Sequence, residues 1–156
     1  MDEQMFCFQC EQAAHCTACT GKAGVCGKSA DTAAAQDRLT GALIGLARAA
    51  DTSPDAGPET WQLMIEGLFA TLTNVNFDPD SLNALAGRVR AEKQRLVPDC
   101  AVCTAPCGRT GDHDLAQLWG AQEDIRSLKS LLLFGSRGMA AYAYHAMVLG
   151  YRDESV

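Results

Sequence analysis

Eight cysteines stand in a chain of 156 residues, and they are the side chains best able to do chemistry. They fall in two groups: Cys7, Cys10, Cys16, Cys19 and Cys26 near the start, then Cys100, Cys103 and Cys107. Disulfide scaffolds are usually small, secreted and evenly studded with cysteine, whereas thiols bunched in C-x-x-C units read as metal ligands. Met1-Asp2-Glu3-Gln4 is acidic and leads into no apolar stretch of the secretory type. The expectation is a protein whose thiols meet a reducing, cytoplasmic environment.

Cys7-Phe8-Gln9-Cys10 sets two thiolates on one short turn, and the loop that follows supplies the rest of a four-thiolate set. Such a set suits a tetrahedral zinc or a cubane iron-sulfur cluster. Zinc knuckles favour paired C-x2-4-C units; Cys7/Cys10 and Cys16/Cys19 make such pairs and leave Cys26 over, so spacing alone keeps both metals open. Gly21, Gly24 and Gly27 let the backbone wrap tightly and aim amides at sulfur, and Lys22 and Lys28 could offset the negative charge of the thiolates. Free thiols are the bland alternative, which this crowding disfavours.

In the second group, Cys100-Ala101-Val102-Cys103-Thr104-Ala105-Pro106-Cys107-Gly108 holds three thiols in a Pro/Gly loop. Its C-x2-C-x3-C spacing reverses that of the radical enzymes that cleave S-adenosylmethionine, so that chemistry is not assigned. A second metal site here would need a fourth ligand, from Cys16, His113, Asp112 or an outside molecule. The competing reading is a set of buried or redox-active thiols. His15 is a weaker ligand candidate, His145 reads as a packed or surface helical histidine, and Trp61 and Trp119 as core or interface aromatics.

The elements that must position these groups are helical. Ser29 or Asp31 can cap a first helix with Leu39, Leu43, Leu46 and Ala50 on one face. A turn-rich break at 51–58 places Pro58 in the first turn of a second helix, whose expected apolar stripe is Trp61, Met64, Ile65, Leu68, Leu72 and Val75. A third helix starts at Asp80 or Ser81, carries Leu82, Leu85, Ala86, Val89 and Leu96, and stops at Pro98. The last runs from about Gln122 to Leu149, with Ile125, Leu128, Leu132, Gly135, Met139, Tyr142, Ala146 and Leu149 in the a/d spacing of a buried bundle seam. Gly135, Ser136 and Gly138 in that seam predict close helix packing or a mild kink.

The fold class is therefore all-α: a helical bundle of the three-helix-bundle type, about four main helices, behind an N-terminal Cys-rich loop. Residues 1–28 form the cluster-binding segment and 29–156 the bundle, with a Cys-rich insert at 99–111, in one compact domain. Hydrophobic residues at 47% support a real core, and a net charge of -6 argues against nucleic acid as a partner. The apolar run from Met139 to Leu149, broken by His145, is too short to cross a bilayer, so no membrane partner is expected either. Arg88, Arg90, Lys93 and Arg95 read as a solvated helix face, with a docking patch for an acidic electron donor as the sharper alternative.

The strings Met5-Phe6-Cys7-Phe8-Gln9-Cys10-Glu11-Gln12, Cys19-Thr20, Gly24-Val25-Cys26-Gly27-Lys28 and Gln36-Asp37 resemble the opening of the hybrid cluster proteins, also called prismane proteins or hydroxylamine reductases. The likeness continues through 68–77, 123–129 and 138–143, nearly the whole chain. It implies an oxidoreductase lineage in which Cys7, Cys10, Cys19 and Cys26 bind an iron-sulfur cluster, [4Fe-4S] in most members and [2Fe-2S] in some. The gap between Cys19 and Cys26 is one residue longer than the commonest family pattern, and Cys16 is an extra thiol that could take the place of Cys19 as a ligand, though the eight-residue gap from Cys10 to Cys19 fits the family better.

The resemblance further implies a second, hybrid cluster, where hydroxylamine or nitric oxide is reduced, held by later domains whose ligands this chain does not contain. No residue here is singled out as catalytic. Three arrangements follow: a piece of a longer reductase, a natural short protein, or one half of a system whose catalytic part is a separate chain. The implied role is electron transfer from a redox donor protein to that catalytic part. The alternative is a stand-alone sensing or partner-subunit module without enzymatic activity, and association into a homo-oligomer stays open.

Overall fold

The computed structural model describes residues 5–10, 12, 13, 15, 17–98, 111–151 and 153. Five helices occur among them: α1 (Ala30–Thr52), α2 (Pro58–Ala70), α3 (Pro79–Leu96), α4 (Leu115–Trp119) and α5 (Glu123–Val148). No strand is present among the described residues, and the class is all-α as expected. None of these helices is long and apolar enough to cross a membrane.

Local chemistry sets the helix starts. The Ser29 hydroxyl accepts the Thr32 amide at 3.2 Å and caps α1. Pro58 begins α2, where its missing N–H costs nothing. The third helix starts one or two residues earlier than the sequence suggests, because Asp78 caps it by accepting the Asp80 amide and Pro79 takes the first helical position. Asp114 caps α4, a five-residue helix that periodicity is too short to detect.

The helices α1, α2 and α3 pack on one another, α1 most extensively against α3. Leu39, Leu43, Leu46 and Ala50 of α1 meet Leu82, Leu85, Ala86, Val89 and Leu96 of α3 in the core, the faces the sequence predicts. The second helix departs from expectation in part: Met64 and Leu68 of the expected stripe do pack against the core. It ends at Ala70 rather than continuing to Val75, and its buried line is Thr60, Leu63, Gly67 and Ala70. Trp61 is 47% exposed; Val75 lies beyond the helix and is exposed. Small residues face the core because α1 comes close: a Cβ at Gly67 would stand 2.7 Å from a Leu43 methyl.

The larger correction concerns α5. Its boundaries match expectation, yet the predicted seam faces outward, with Leu132 at 71%, Met139 at 75% and Tyr142 at 84% exposure. Its fully buried residues are instead Ser130, Arg137 and Ala140. The helix packs on α2, where Tyr144 stacks on Phe69 at 4.4 Å and the exposed His145 meets the same ring edge-on, as a surface histidine. A Cβ at Gly135 or Gly138 would meet nothing within 4 Å. Close packing at those glycines is therefore not the reason for them.

Candidate iron-sulfur site

The N-terminal segment lies across the start of α1. Cys7 and Cys19 form an antiparallel backbone bridge, each amide donating to the other's carbonyl at 3.0 and 2.9 Å. Both are buried, and they pack with Met5 and Ala33. Cys10 follows three residues on and is half-buried, as is Cys26. The loop around Cys26 closes on itself, with the Gly24 amide donating to the Lys28 carbonyl at 2.8 Å and the Gly27 amide to the Gly24 carbonyl at 2.9 Å. Gly27 has φ of +85°, which glycine adopts without strain. A Cβ at Gly24 would come within 3.4 Å of both the Cys26 sulfur and the Met5 methyl, so Cys26 borders the buried cluster of Met5, Cys7, Cys19 and Ala33.

Behind this layer lies a buried polar network. Lys28, 2% exposed, donates to the Gln9 side-chain oxygen at 2.7 Å and to the Gln36 side-chain oxygen. The Gln9 amide nitrogen donates in turn to the Ala33 carbonyl at 3.0 Å and to Asp37 at 2.7 Å. Gln36 donates to the Asn76 carbonyl at 2.9 Å. From the opposite side Arg137 of α5, also 2% exposed, donates to the Gln9 carbonyl at 3.2 Å and to the hydroxyls of Thr71 and Thr40 at 3.0 Å each. The turn between Cys7 and Cys10 is thus held through Gln9 by two buried cations.

The titratable groups record that environment. Burial pushes the Cys7 thiol up, against a downward pull from Lys28 and the Gln9 backbone amide. Burial likewise raises the Asp37 carboxyl, opposed by the Gln9 hydrogen bond and the charges of Arg137 and Lys28. Desolvation lowers Arg137 to about 10, while Asp37, Cys7 and Cys10 favour its charged form. It remains a cation at neutral pH.

Of the two lysines the sequence offers, Lys28 is the internal one and Lys22 is exposed. Gln9, Asp37 and Arg137 are site residues that pattern reading of functional side chains misses. A lone arginine within Gly135-Ser136-Arg137-Gly138 of an apolar helix is the signal that could have found the last of them. Trp119 packs edge-on against Phe8 at 5.1 Å and lies 6.3 Å from Phe6, covering the residues on either side of Cys7.

Cys16, Cys100, Cys103 and Cys107, the proposed second group, lie outside the described residues. Of their two described candidate ligands, Asp112 has its carboxylate ion-paired, whereas the contact that fixes His113 is made by its backbone. Asp112 is held by Lys93 at 2.5 Å and Arg90 at 2.7 Å. The His113 backbone amide donates to the Gly41 carbonyl at 3.0 Å, and burial together with Arg48 and Lys129 pushes its imidazole below the usual range. The expected basic run on α3 is an ion-paired face: besides these contacts, Arg88 pairs with Glu66 and Arg95 with Glu92.

Among the described residues, no three His, Cys, Asp or Glu side chains assemble into a group that would hold a metal ion. The donor set itself is all thiol, with amides and two buried cations beside it, and that chemistry fits an anionic thiolate-ligated iron-sulfur group. The fold and site thus define an all-α bundle carrying a cysteine-rich, cation-backed site at its N-terminus.

Over residues 5–156 the chain matches the prismane/CO dehydrogenase family. It is 40% identical to the hydroxylamine reductase of Desulfitobacterium hafniense and 40% identical to that of Methanosarcina mazei, in each case over 97% of this chain and 31% of the relative. It is 37% identical to the hydroxylamine reductase of Maridesulfovibrio salexigens, again over 97% of the chain. The chain belongs to this family, that of the hybrid cluster proteins. It spans about a third of the length of the curated relatives it matches.

Proposed function

We propose that this chain is the iron-sulfur electron-transfer module of a hydroxylamine reductase-like system, acting in reduction of hydroxylamine or nitric oxide. Cys7, Cys10, Cys19 and Cys26 would hold the cluster, as [4Fe-4S] or [2Fe-2S]. Its electrons would come from a redox donor protein, and the catalytic site would belong to the part of the relatives that this chain does not span. When bound, the cluster supplies reversible one-electron transfer. The chain's own residues exclude water from Cys7 and Cys19, hold the turn to Cys10 through Gln9, and place positive charge where thiolate charge collects.

The observation that supports this most is the pair of buried cations, Lys28 and Arg137, converging on the residue between two cysteines. A bundle in need of stability alone gains little from burying cations, because desolvation costs several kcal/mol per ion. Asp37 is one acidic group against two cations, and a thiolate-ligated cluster beside them would offset the rest of that cost.

Anaerobic purification with iron and acid-labile sulfide analysis tests the reading. The expected result is a coloured protein whose broad visible absorption bleaches with dithionite, and whose iron is lost in a Cys7→Ala, Cys19→Ala variant. About four irons per chain would indicate one cubane, and roughly twice that a second centre using Cys100, Cys103 and Cys107. A colourless protein with one zinc would overturn it.

A further inference from the structure

Arg137 sits far from the cysteines in sequence, yet its guanidinium lies beneath the turn between Cys7 and Cys10. Its three acceptors, the Gln9 carbonyl and the Thr40 and Thr71 hydroxyls, are all neutral oxygens. Both hydroxyls are aimed for this task. Thr40 donates its own proton to the Gln36 carbonyl at 2.8 Å and Thr71 donates to the Leu68 carbonyl at 2.9 Å, which leaves each oxygen's lone pairs toward Arg137. Asp37 is reached only through its field and bonds Gln9 instead. Two basic side chains, Lys28 and Arg137, thus stand with one carboxyl group, Asp37, around Gln9 in the turn between Cys7 and Cys10.

We propose that Arg137 is a positioning residue for the iron-sulfur site and, beside Lys28, a fixed counter-charge to it, so that helix α5 helps set the reduction potential of the cluster. The inference rests on the function proposed above. Adding an electron makes the cluster and its thiolates more negative, so a nearby fixed cation stabilises the reduced form more than the oxidised one. The potential rises accordingly. A nearby carboxylate does the opposite. The Gln9 carbonyl contact adds a mechanical element, because it ties the cysteine turn to α1, the C-terminal cap of α2 and α5 at once through Thr40, Thr71 and Arg137.

The test is a dye-mediated anaerobic redox titration at pH 8, followed by electron paramagnetic resonance of the reduced state, on the wild-type chain and on R137M, R137K and D37N. Iron and sulfide are assayed first in each. In R137M the midpoint is expected to fall by at least a tenfold change in the reduction equilibrium, about 59 mV for one electron. R137K, which keeps the charge, should recover most of that, and D37N, which keeps an acceptor for Gln9, should shift the midpoint upward. Opposite signs for R137M and D37N are what a packing role alone would not produce. If R137M does not fold, the D37N and R137K titrations still decide. An unchanged or lowered midpoint in D37N overturns the counter-charge assignment, as does a loaded R137M with the wild-type midpoint. A wild-type chain that takes up no iron instead overturns the function on which the inference rests.

Discussion

The helices α1 and α5 are the longest in the molecule, at 23 and 26 residues, and both carry regular apolar rows, yet the rows meet opposite fates. In α1 the leucines at 39 and 46 are 0% exposed, enclosed by α2 and α3. In α5 the row through Leu128, Leu132 and Met139 looks outward, and the face turned inward carries Ser130, Arg137 and Ala140. Hydrophobic period shows that a helix owns an adhesive face; it does not show that this polypeptide covers it. What selected the inner face of α5 is a specific polar engagement, Arg137 with Gln9, Thr40 and Thr71, together with Tyr144 against Phe69.

Truncating the enclosed row is the most direct way to break this contrast. Leu46→Ala should cost about 2–5 kcal/mol in urea denaturation, the usual range for a buried leucine. A loss below about 0.5 kcal/mol, the scale of a surface change, would mean that α1 is not the core element described here.

Glycines sharpen the comparison with smaller effects of opposite sign. On α1 a Cβ at Gly41 would stand 2.3 Å from the His113 carbonyl oxygen, a backbone atom that cannot swing aside. Gly41→Ala should destabilise by about 1–3 kcal/mol. On α5, where Gly135 faces open space, Gly135→Ala should raise stability by up to about 1 kcal/mol through helix propensity. Both are read from shifts in the same denaturation midpoint, and like signs would erase the distinction.

The smallest effect is expected on the outward row. Met139→Gln should leave stability of the isolated chain within about 0.5 kcal/mol of wild type. A large loss would show that this row is covered in solution.

Much of the architecture was legible from residues alone. Ser29 and Pro58 begin their helices as helix-start chemistry requires, and the α1 and α3 faces that periodicity selects are the ones that meet. The second helix was less legible. Its bulky residues suggested the inner stripe, but close approach of α1 admits only small or flexible groups at Gly67 and Ala70, so Trp61 turns outward. In the site, the cysteine pattern announced thiolate chemistry, while the choice of Lys28 over Lys22 depended on which one the α1 start covers. Arg137 stands out in the sequence only as a cation in an apolar stretch, and nothing local links it to Cys7.

By itself, then, the sequence determined the elements and the reactive groups: capping, period and breaker residues act over a few positions, and thiols bunched at short spacing are adjacent by covalent connection. Only the tertiary structure decided which face of α5 is inside and which cations stand behind the cysteines. Those outcomes depend on contacts between residues distant in sequence, from Lys28 with Gln9, 19 positions apart, to Arg137 with Gln9, 128 apart. Burial and desolvation are properties of the assembled molecule, and no local pattern encodes them.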